Sequence, residues 1–433
     1  MSETKHIASE SLASAHNVAG NLLNRTKGDK VIWAIVILLT MISILVVYSS
    51  IGSLAYKMNK STESYLLRQV GYICLGVIII YWAHRVNYTI YSKVSSILFL
   101  ISIPLLLYTL LYGTSINDAN RWIKLPVINL TFQTSDLAKL ALFMYMSRLL
   151  SRRQNVIKDF KKGFLPLIIP VAIICILIAP ANLSTAVLIG GIALMLMFIG
   201  RVSIRHIMIV IGGALIPIIL LVTIASHYYN KEEQVPEDLP AVLSVGRIPT
   251  WVKRVQNFMY AGKEDASYQV QQAKIAIATG GFLGKGPGKS EQRNFLPHPY
   301  SDFIYAIIIE EYGLAGGTII LLIYVLFLYR SIRLFRRCPY AFGAFLAVAL
   351  SFTLVIQAMV NMAVNVDIFP TTGVTLPLVS MGGSSLLFTC FSIGIILSVA
   401  RNVEQAEGAS LALATQQTEE KPSANNKESN EDE

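Results

Sequence analysis

Charge is scarce in this chain. Asp, Glu, Lys and Arg make up 14% of its 433 residues, where a soluble domain carries about 25%. That deficit excludes an ordinary soluble enzyme. With 54% of the residues hydrophobic and about 20 apolar residues needed per span, the chain has room for many spans. Cysteine is scarce too. Cys74, Cys175, Cys338 and Cys390 lie singly in or beside apolar runs, with neither metal-ligand nor disulfide spacing, and read as small packing residues. A cleavable signal is also missing. The first 27 residues are polar, and the first apolar run is long enough to span and lacks a small-residue cleavage site, so it reads as an uncleaved anchor. No repeat with a period of about 20–50 residues is visible. The net charge of +10 does not indicate nucleic acid, because the basic residues fall in short clusters between apolar runs, as topology signals do.

What is present is a series of apolar segments near 31–50, 66–83, 94–111, 135–150, 164–178, 184–200, 207–225, 302–329, 342–364 and 380–400. The expected fold is therefore an all-α polytopic membrane protein of about ten transmembrane helices. Every other connection is basic, as is the N-terminal tail, so both termini are expected in the cytoplasm. The large loop between helices 7 and 8, residues 226–301, is then extracytoplasmic. Residues 1–28 form a cytoplasmic tail, 29–402 the membrane domain and 403–433 a disordered cytoplasmic tail without aromatics.

The outer loop ends in Leu296-Pro297-His298-Pro299-Tyr300-Ser301-Asp302 and runs straight into an apolar helix. A carboxylate at that junction is costly unless something uses it or pairs with it. Asp302 is thus a candidate reaction centre; it could equally cap the helix that follows, as could Ser301. Glu310 and Glu311 lie two turns deeper and point about 100° apart, so they are expected to support the bundle. Asp136 and Lys139 share one helix face, as a self-neutralising pair or as the charged wall of a water-filled cavity. Arg121, in the preceding outer loop, could reach the same place and grip a phosphate bidentately. Gln357, Asn361 and Asn365 recur every four residues and suit hydrogen bonding between helices. His298 alone makes no metal site.

Within the loop, residues 250–260 mix apolar and basic residues, which suits a helix lying on the membrane surface, and residues 268–279 suggest a second short helix. The segment Gly280–Ser290 invites comparison with a nucleotide-binding P-loop, but Leu283 stands where the first glycine of that motif belongs. Two readings remain: a backbone cradle for phosphate or sugar, aided by Lys285, Lys289 and Arg293, or a solvated loop.

Five blocks, in this order, resemble the SEDS family (shape, elongation, division and sporulation): Ala119–Ile123, Asp136–Lys139, Gln272–Gly286, Pro297–Asp302 with Glu310, Glu311 and Gly313, and Pro370–Ser385. The triplet Thr375-Leu376-Pro377 is closer to the division branch than to the elongation branch. Asp136 departs from the family's usual Glu, Asn182 from a frequent Asp, and Thr372 from a Lys common in division members, which weakens any essential charge at the last two. The resemblance implies a peptidoglycan glycosyltransferase of inverting type that polymerises lipid II, a disaccharide-pentapeptide on undecaprenyl pyrophosphate. It implies Asp302 as general base, with Arg121, Asp136, Lys139, Gln272, Lys285, Arg293 and Ser301 toward substrate. Glu310, Glu311, Gln357, Asn361, Pro377, Gly382 and Gly383 would be structural supports. A divalent cation, magnesium or manganese, could share the pyrophosphate, although no ligand cluster announces one. The implied partners are a class B penicillin-binding protein acting as transpeptidase and other division proteins, at the septal inner membrane. Competing classes are a lipid II flippase, an elongation-type polymerase and a non-catalytic division scaffold.

Overall fold

The computed structural model describes residues 28–52, 62–116, 119–124, 131–230, 235–236, 240, 247–260 and 268–419. The expected tails up to residue 27 and from residue 420 lie outside the described residues. The helices in chain order are α1 (Lys30–Ser50), α2 (Thr62–Arg85), α3 (Tyr88–Tyr112), α4 (Thr134–Arg152), α5 (Leu165–Ile178), α6 (Leu183–Ile199), α7 (Ile204–His227), α8 (Ile248–Tyr260), α9 (Tyr268–Gly280), α10 (Ile304–Arg337), α11 (Ala341–Asn365) and α12 (Ser384–Glu419). Among the described residues, eight segments are long and apolar enough to cross a membrane. The 17-residue α6 is a shorter apolar helix. The eight do not include α4, which carries Asp136, Lys139, Arg148 and Arg152. These two occupy the places of the sixth and fourth expected spans.

Local chemistry sets the ends of these helices. Asp29 caps α1, accepting from the backbone N–H of Val31 and Ile32 at 2.9 and 3.3 Å, and its other oxygen takes Arg330 of α10 at 2.6 and 2.9 Å. Asn182 caps α6 through Thr185. The α11 helix is the axis of the bundle: 83% of its most apolar stretch is buried, against 6% for α7. It packs on α4, α6, α10 and α12, whereas α7 packs chiefly on α8.

Three expectations change. The polar loop after α3 is not irregular: β1 (Thr114–Ile116), β2 (Ala119–Lys124) and β3 (Thr131–Gln133) form an antiparallel sheet that pairs Trp122 with Gln133. A second, two-stranded ribbon pairs β4 (Tyr229–Asn230) with β5 (Val235–Pro236). The chain after residue 402 continues α12 as far as Glu419, because its run of Ala, Leu, Glu and Gln favours helix.

The third change concerns the glycine-rich segment, which is a clasp on α10. That helix breaks at Gly313 (φ 71°, ψ −176°), nine residues and about 14 Å beyond its start. The carbonyls of Glu310 and Glu311, freed by the break, accept the backbone N–H of Lys285 and Gly286, both at 2.9 Å, while the N–H of Leu314 and Ala315 donate to Gly281 and Phe282. The two strands of backbone are so close that a Cβ on Gly313 would stand 2.2 Å from the Phe282 carbonyl oxygen, and one on Gly284 would stand 2.2 Å from that of Glu311. Only glycine allows this approach.

Candidate active site

A cavity of about 640 Å³ opens where β2, α4, α8, α11 and the loops at 297–303 and 371–383 meet. Asp302 and Ser301 line it from the short connection before α10. Asp136 and Lys139 line it from the first turn of α4, and Arg121 from β2. Gln357, Gly382 and Gly383 also face it. The site residues separated in sequence by 181 positions, Arg121 and Asp302, therefore share one chamber. A Cβ placed on Gly373 would stand 3.7 Å from Asp302 Oδ2 and 3.9 Å from Arg121 Nη1, and Gly373 has φ +67°. The turn at Gly373 thus runs beside both the carboxylate and the guanidinium, in a backbone conformation that favours glycine.

Asp302 does not cap α10. The residue at the cap is Phe303, without a side-chain cap bond, and the N–H of Ala306 is shared between the Phe303 carbonyl at 3.1 Å and Asn365 Oδ1 at 3.0 Å. Nor does Asp302 enter any ion pair among the described residues. Burial raises its pKa above the ordinary carboxylate value; His298, a hydrogen bond with Ser301, and the charges of Arg121 and Arg254 pull the other way without prevailing. A half-buried carboxylate biased toward accepting a proton, and spent on neither a cap nor a salt bridge, has the character of a general base.

Around it gather three guanidinium groups. Arg121 Nε and Arg247 Nη1 both donate to the Ala181 carbonyl, at 2.9 and 2.6 Å, and Arg254 Nη1 donates to that of Thr371 at 3.1 Å. Burial and the repulsion of Arg247 and Arg254 pull the Arg121 pKa down to about 10, with Asp302 opposing. Arg254 is lowered likewise, by burial and then by Arg247. Lys139 is spoken for: its ammonium lies 3.3 Å from Asp136 Oδ1 and 3.0 Å from Gln357 Oε1. Four cations and two carboxylates line the chamber, so an anionic ligand would relieve mutual repulsion.

The polar stripe on α11 holds helices and loops: Gln357 accepts from Lys139 of α4 and Asn365 from the Ala306 N–H of α10, while the amide N–H groups reach loop carbonyls. Gln357 donates to the Thr375 carbonyl, Asn361 to Asp302 and Val374, and Asn365 to Asp302. The carbonyl of Pro377 accepts from the Tyr324 hydroxyl.

Three expected substrate residues lie elsewhere. Lys285 bonds to the buried Glu310 at 3.0 Å. Arg293 bonds to the Ser49 carbonyl at 2.8 Å, and the Ser49 hydroxyl in turn donates to Glu311. Gln272 sits half-buried on α9, outside the lining; Gln269, one turn earlier, faces the cavity. The physical reason is the clasp, which turns Lys285 and Arg293 toward the glutamates of α10. Sequence reasoning missed Arg247 and the role of Arg254. The amphipathic pattern of 250–260 predicted the helix, but its basic residues were assigned to a membrane surface. Among the described residues no three His, Cys, Asp or Glu side chains group as metal ligands, and the cavity's two carboxylates stand among cations. This donor set does not fit a divalent ion held by protein alone.

The chain belongs to a cell cycle protein family: residues 29–405 match the FtsW/RodA/SpoVE model, described as "Cell cycle protein". The probable peptidoglycan glycosyltransferase FtsW of Geobacter sp. (strain M18) is 32% identical over 389 residues, covering 89% of this chain and all of the relative. Stage V sporulation protein E of Bacillus subtilis (strain 168) is 31% identical over 384 residues, 87% of this chain and 98% of its own. Among solved structures, a chain from a peptidoglycan synthase complex that coordinates polymerization and crosslinking superposes with a TM-score of 0.67 at 23% identity, covering 87% of this chain and 99% of the other. Thermus thermophilus RodA, the rod shape determining protein, gives 0.59 at 22% identity, covering 87% and 97%. At those identities the structures show the shared fold.

Proposed function

We propose that this chain is a peptidoglycan glycosyltransferase that polymerises lipid II at the outer face of the bacterial cytoplasmic membrane, during septal wall synthesis. The observation that carries the reading is Asp302, a carboxylate of raised pKa outside any ion pair among the described residues, in a chamber with three arginines that likewise enter none. Asp302 takes the proton of the acceptor sugar hydroxyl as that oxygen attacks the anomeric carbon of the donor. The anomeric C–O bond to the pyrophosphate breaks with inversion, and undecaprenyl pyrophosphate leaves with the bonding electrons. Arg121, Arg247 and Arg254 hold the pyrophosphate and stabilise the charge that develops on it. Asp136 and Lys139 form the opposite wall, toward the sugars. No step is routed through a metal ion.

Both termini face the cytoplasm in this reading, following the basic connections. A class B penicillin-binding protein supplies crosslinking; the relatives named for division and the neighbour drawn from a polymerization and crosslinking complex support that pairing. The names of the curated relatives favour the division role over elongation.

The test is polymerisation of purified lipid II by the full chain with its transpeptidase partner. Asp302→Ala and Asp302→Asn are expected to reduce the rate by about 10²–10⁴-fold. Glycan chains of undiminished yield from a folded Asp302→Asn protein would remove Asp302 from the mechanism. A wild type that makes no polymer but moves labelled lipid II across liposomes would replace this reading with transport.

A further inference from the structure

We infer that Asn361 and Asn365 are positioning residues of this reaction centre: they immobilise the backbone of Asp302 and take over the capping of α10, which leaves the carboxylate free for the acceptor hydroxyl. The inference rests on the polymerase reading above and adds to it two residues that touch no substrate.

Three consecutive carbonyls before α10 are held from outside their own segment. Tyr300 O accepts from the Met381 N–H at 2.9 Å. Ser301 O accepts from the Ser380 hydroxyl at 2.7 Å. Asp302 O accepts two amide N–H groups, from Asn361 at 2.9 Å and Asn365 at 3.0 Å. A carbonyl oxygen has two lone pairs, and here both are occupied by side chains one helical turn apart on α11, so the peptide plane after Asp302 is fixed from the most buried helix of the bundle. Both asparagines are themselves buried, at 1% and 0% exposure, and both are saturated. Asn365 also donates to Asn361 O at 2.8 Å, and Asn361 also donates to Val374 O at 2.7 Å.

That last bond matters for chemistry. Val374 follows Gly373, whose turn lies beside both Asp302 and Arg121. One side chain, Asn361, therefore ties the loop bearing the carboxylate to the loop that runs between it and the guanidinium's side of the chamber. The Asn365 oxygen does a different job, accepting from Ala306 N at 3.0 Å. A helix start with orphan N–H groups ordinarily recruits the nearest Asp or Ser. With Asn365 supplying the acceptor, Ser301 and Asp302 are not drawn into the cap. Ordinary helix–helix glue would bond side chain to side chain or to the partner helix. These amides bond to loop carbonyls and to a helix start.

The experiment uses the full chain with its transpeptidase partner and purified lipid II. Asn361→Ala and Asn365→Ala are compared with wild type for kcat, KM and the pH dependence of kcat. Asn365→Asp, which keeps the oxygen for Ala306 but loses the donor to Asp302, separates clamping from capping. Asn361→Ser and Asn365→Ser repeat the measurement where an alanine variant does not give folded protein. The charged and titratable groups that share the chamber with Asp302 are Arg121, Arg247, Arg254, Asp136, Lys139, His298 and Tyr300, all unchanged in the alanine and serine variants; Asn365→Asp adds a carboxylate and is therefore read by kcat, which should fall as in Asn365→Ala, and not by its pH profile. The expected result is a kcat lowered by about 10–100-fold, the scale of an ångström of misplacement, with KM within about twofold. The acid limb of the profile should move toward ordinary carboxylate pH as the loosened loop admits water. Loss of kcat that merely tracks the folded fraction, with an unmoved acid limb, would overturn the inference, as would variants of wild-type rate. A wild type without polymerase activity would instead overturn the function reading, and this inference with it.

Discussion

The Lys285–Glu310 contact offers the sharpest separation between substrate binding and support. Glu310 is fully buried, at 0% exposure. It accepts from Lys285 Nζ at 3.0 Å, from the Ser290 hydroxyl at 2.5 Å, and from the backbone N–H of Glu291 and Gln292 at 3.1 and 3.3 Å. Lys285→Met deletes the cation and leaves three donors in place. Breaking a buried pair costs about 3–5 kcal/mol. The Lys285 side chain keeps 23% of its exposure and the carboxylate keeps its other donors, so about 2 kcal/mol of lost stability is expected here. Glu310→Ala strands the hydroxyl, two backbone N–H groups and the ammonium, and is expected to cost about 3–5 kcal/mol. The double variant should lose less than the sum of the two, by about 1–2 kcal/mol. The assay is reversible unfolding in nanodiscs, set beside KM for lipid II, which should stay within about twofold for Lys285→Met on the same argument. A Lys285→Met protein of unchanged stability whose KM has risen tenfold would refute the argument and return Lys285 to the substrate.

Other outcomes follow from the same geometry. The base acts deprotonated and burial raises the Asp302 pKa, so polymerisation should fall off on acidification at a pH above the ordinary carboxylate range. Arg254→Gln removes a charge that lowers this pKa and should move the acid limb to higher pH in a pH–rate profile. Because the folded pKa lies above the unfolded one, ionisation of Asp302 opposes folding as pH rises through that interval. Asp302→Asn should therefore melt at or above the wild-type temperature at neutral pH, and a drop would restore the capping role. Arg247→Ala and Arg254→Ala should each weaken lipid II binding by about 10–100-fold, the worth of a charge-assisted hydrogen bond, and a titration that finds no change would take these arginines out of the site. Gly313→Ala should cost about 3 kcal/mol or more through its left-handed backbone and the Phe282 carbonyl, visible as loss of folded protein on size exclusion.

Much of the bundle was legible because a span announces itself by length and apolarity. The α1 and α3 helices needed nothing more. The candidate site was legible in part: Asp302 and the pair Asp136 and Lys139 are charges in expensive places, and expense is a sequence-level signal. Arg247 and Arg254 carry no such signal, since a basic residue in a long polar loop is ordinary, and only the tertiary fold brings α8 over the chamber. The clasp failed for a related reason. Glycines and lysines in a run suggest a phosphate cradle, yet the backbone groups they serve are the carbonyls freed at Gly313. That break cannot be seen until α9 and α10 lie side by side. The stripe on α11 was visible by its period of four, and its bonds to α4 and α10 follow from that, but period alone could not say that its partners include loops.

The shape of the chamber also bears on transport against polymerisation. A path for a lipid headgroup must continue from the cavity to the inner side. Below Asp136 and Lys139 the described residues leave a gap of about 10 Å³, walled by Leu140, Phe143, Leu350 and Leu354 with the hydroxyls of Thr353, Thr389 and Ser392. That is room for about one water molecule. The charged residues that line the chamber are gathered above this floor, and the gap below it adds no charge beyond the Asp136–Lys139 pair. A carrier must open such a floor in every cycle and offer charge to its cargo on both sides of it. A polymerase needs the floor closed, because a pyrophosphate held against Arg121 gains from a dry, fixed surround. Substituting Phe143 and Leu350 with alanine would remove a phenyl ring and an isopropyl group and so widen the gap by several methylenes' volume at each position. The polymerase reading expects slower glycan synthesis from such a protein and no headgroup translocation in liposomes. Translocation that rises as synthesis falls would mean the floor is a gate.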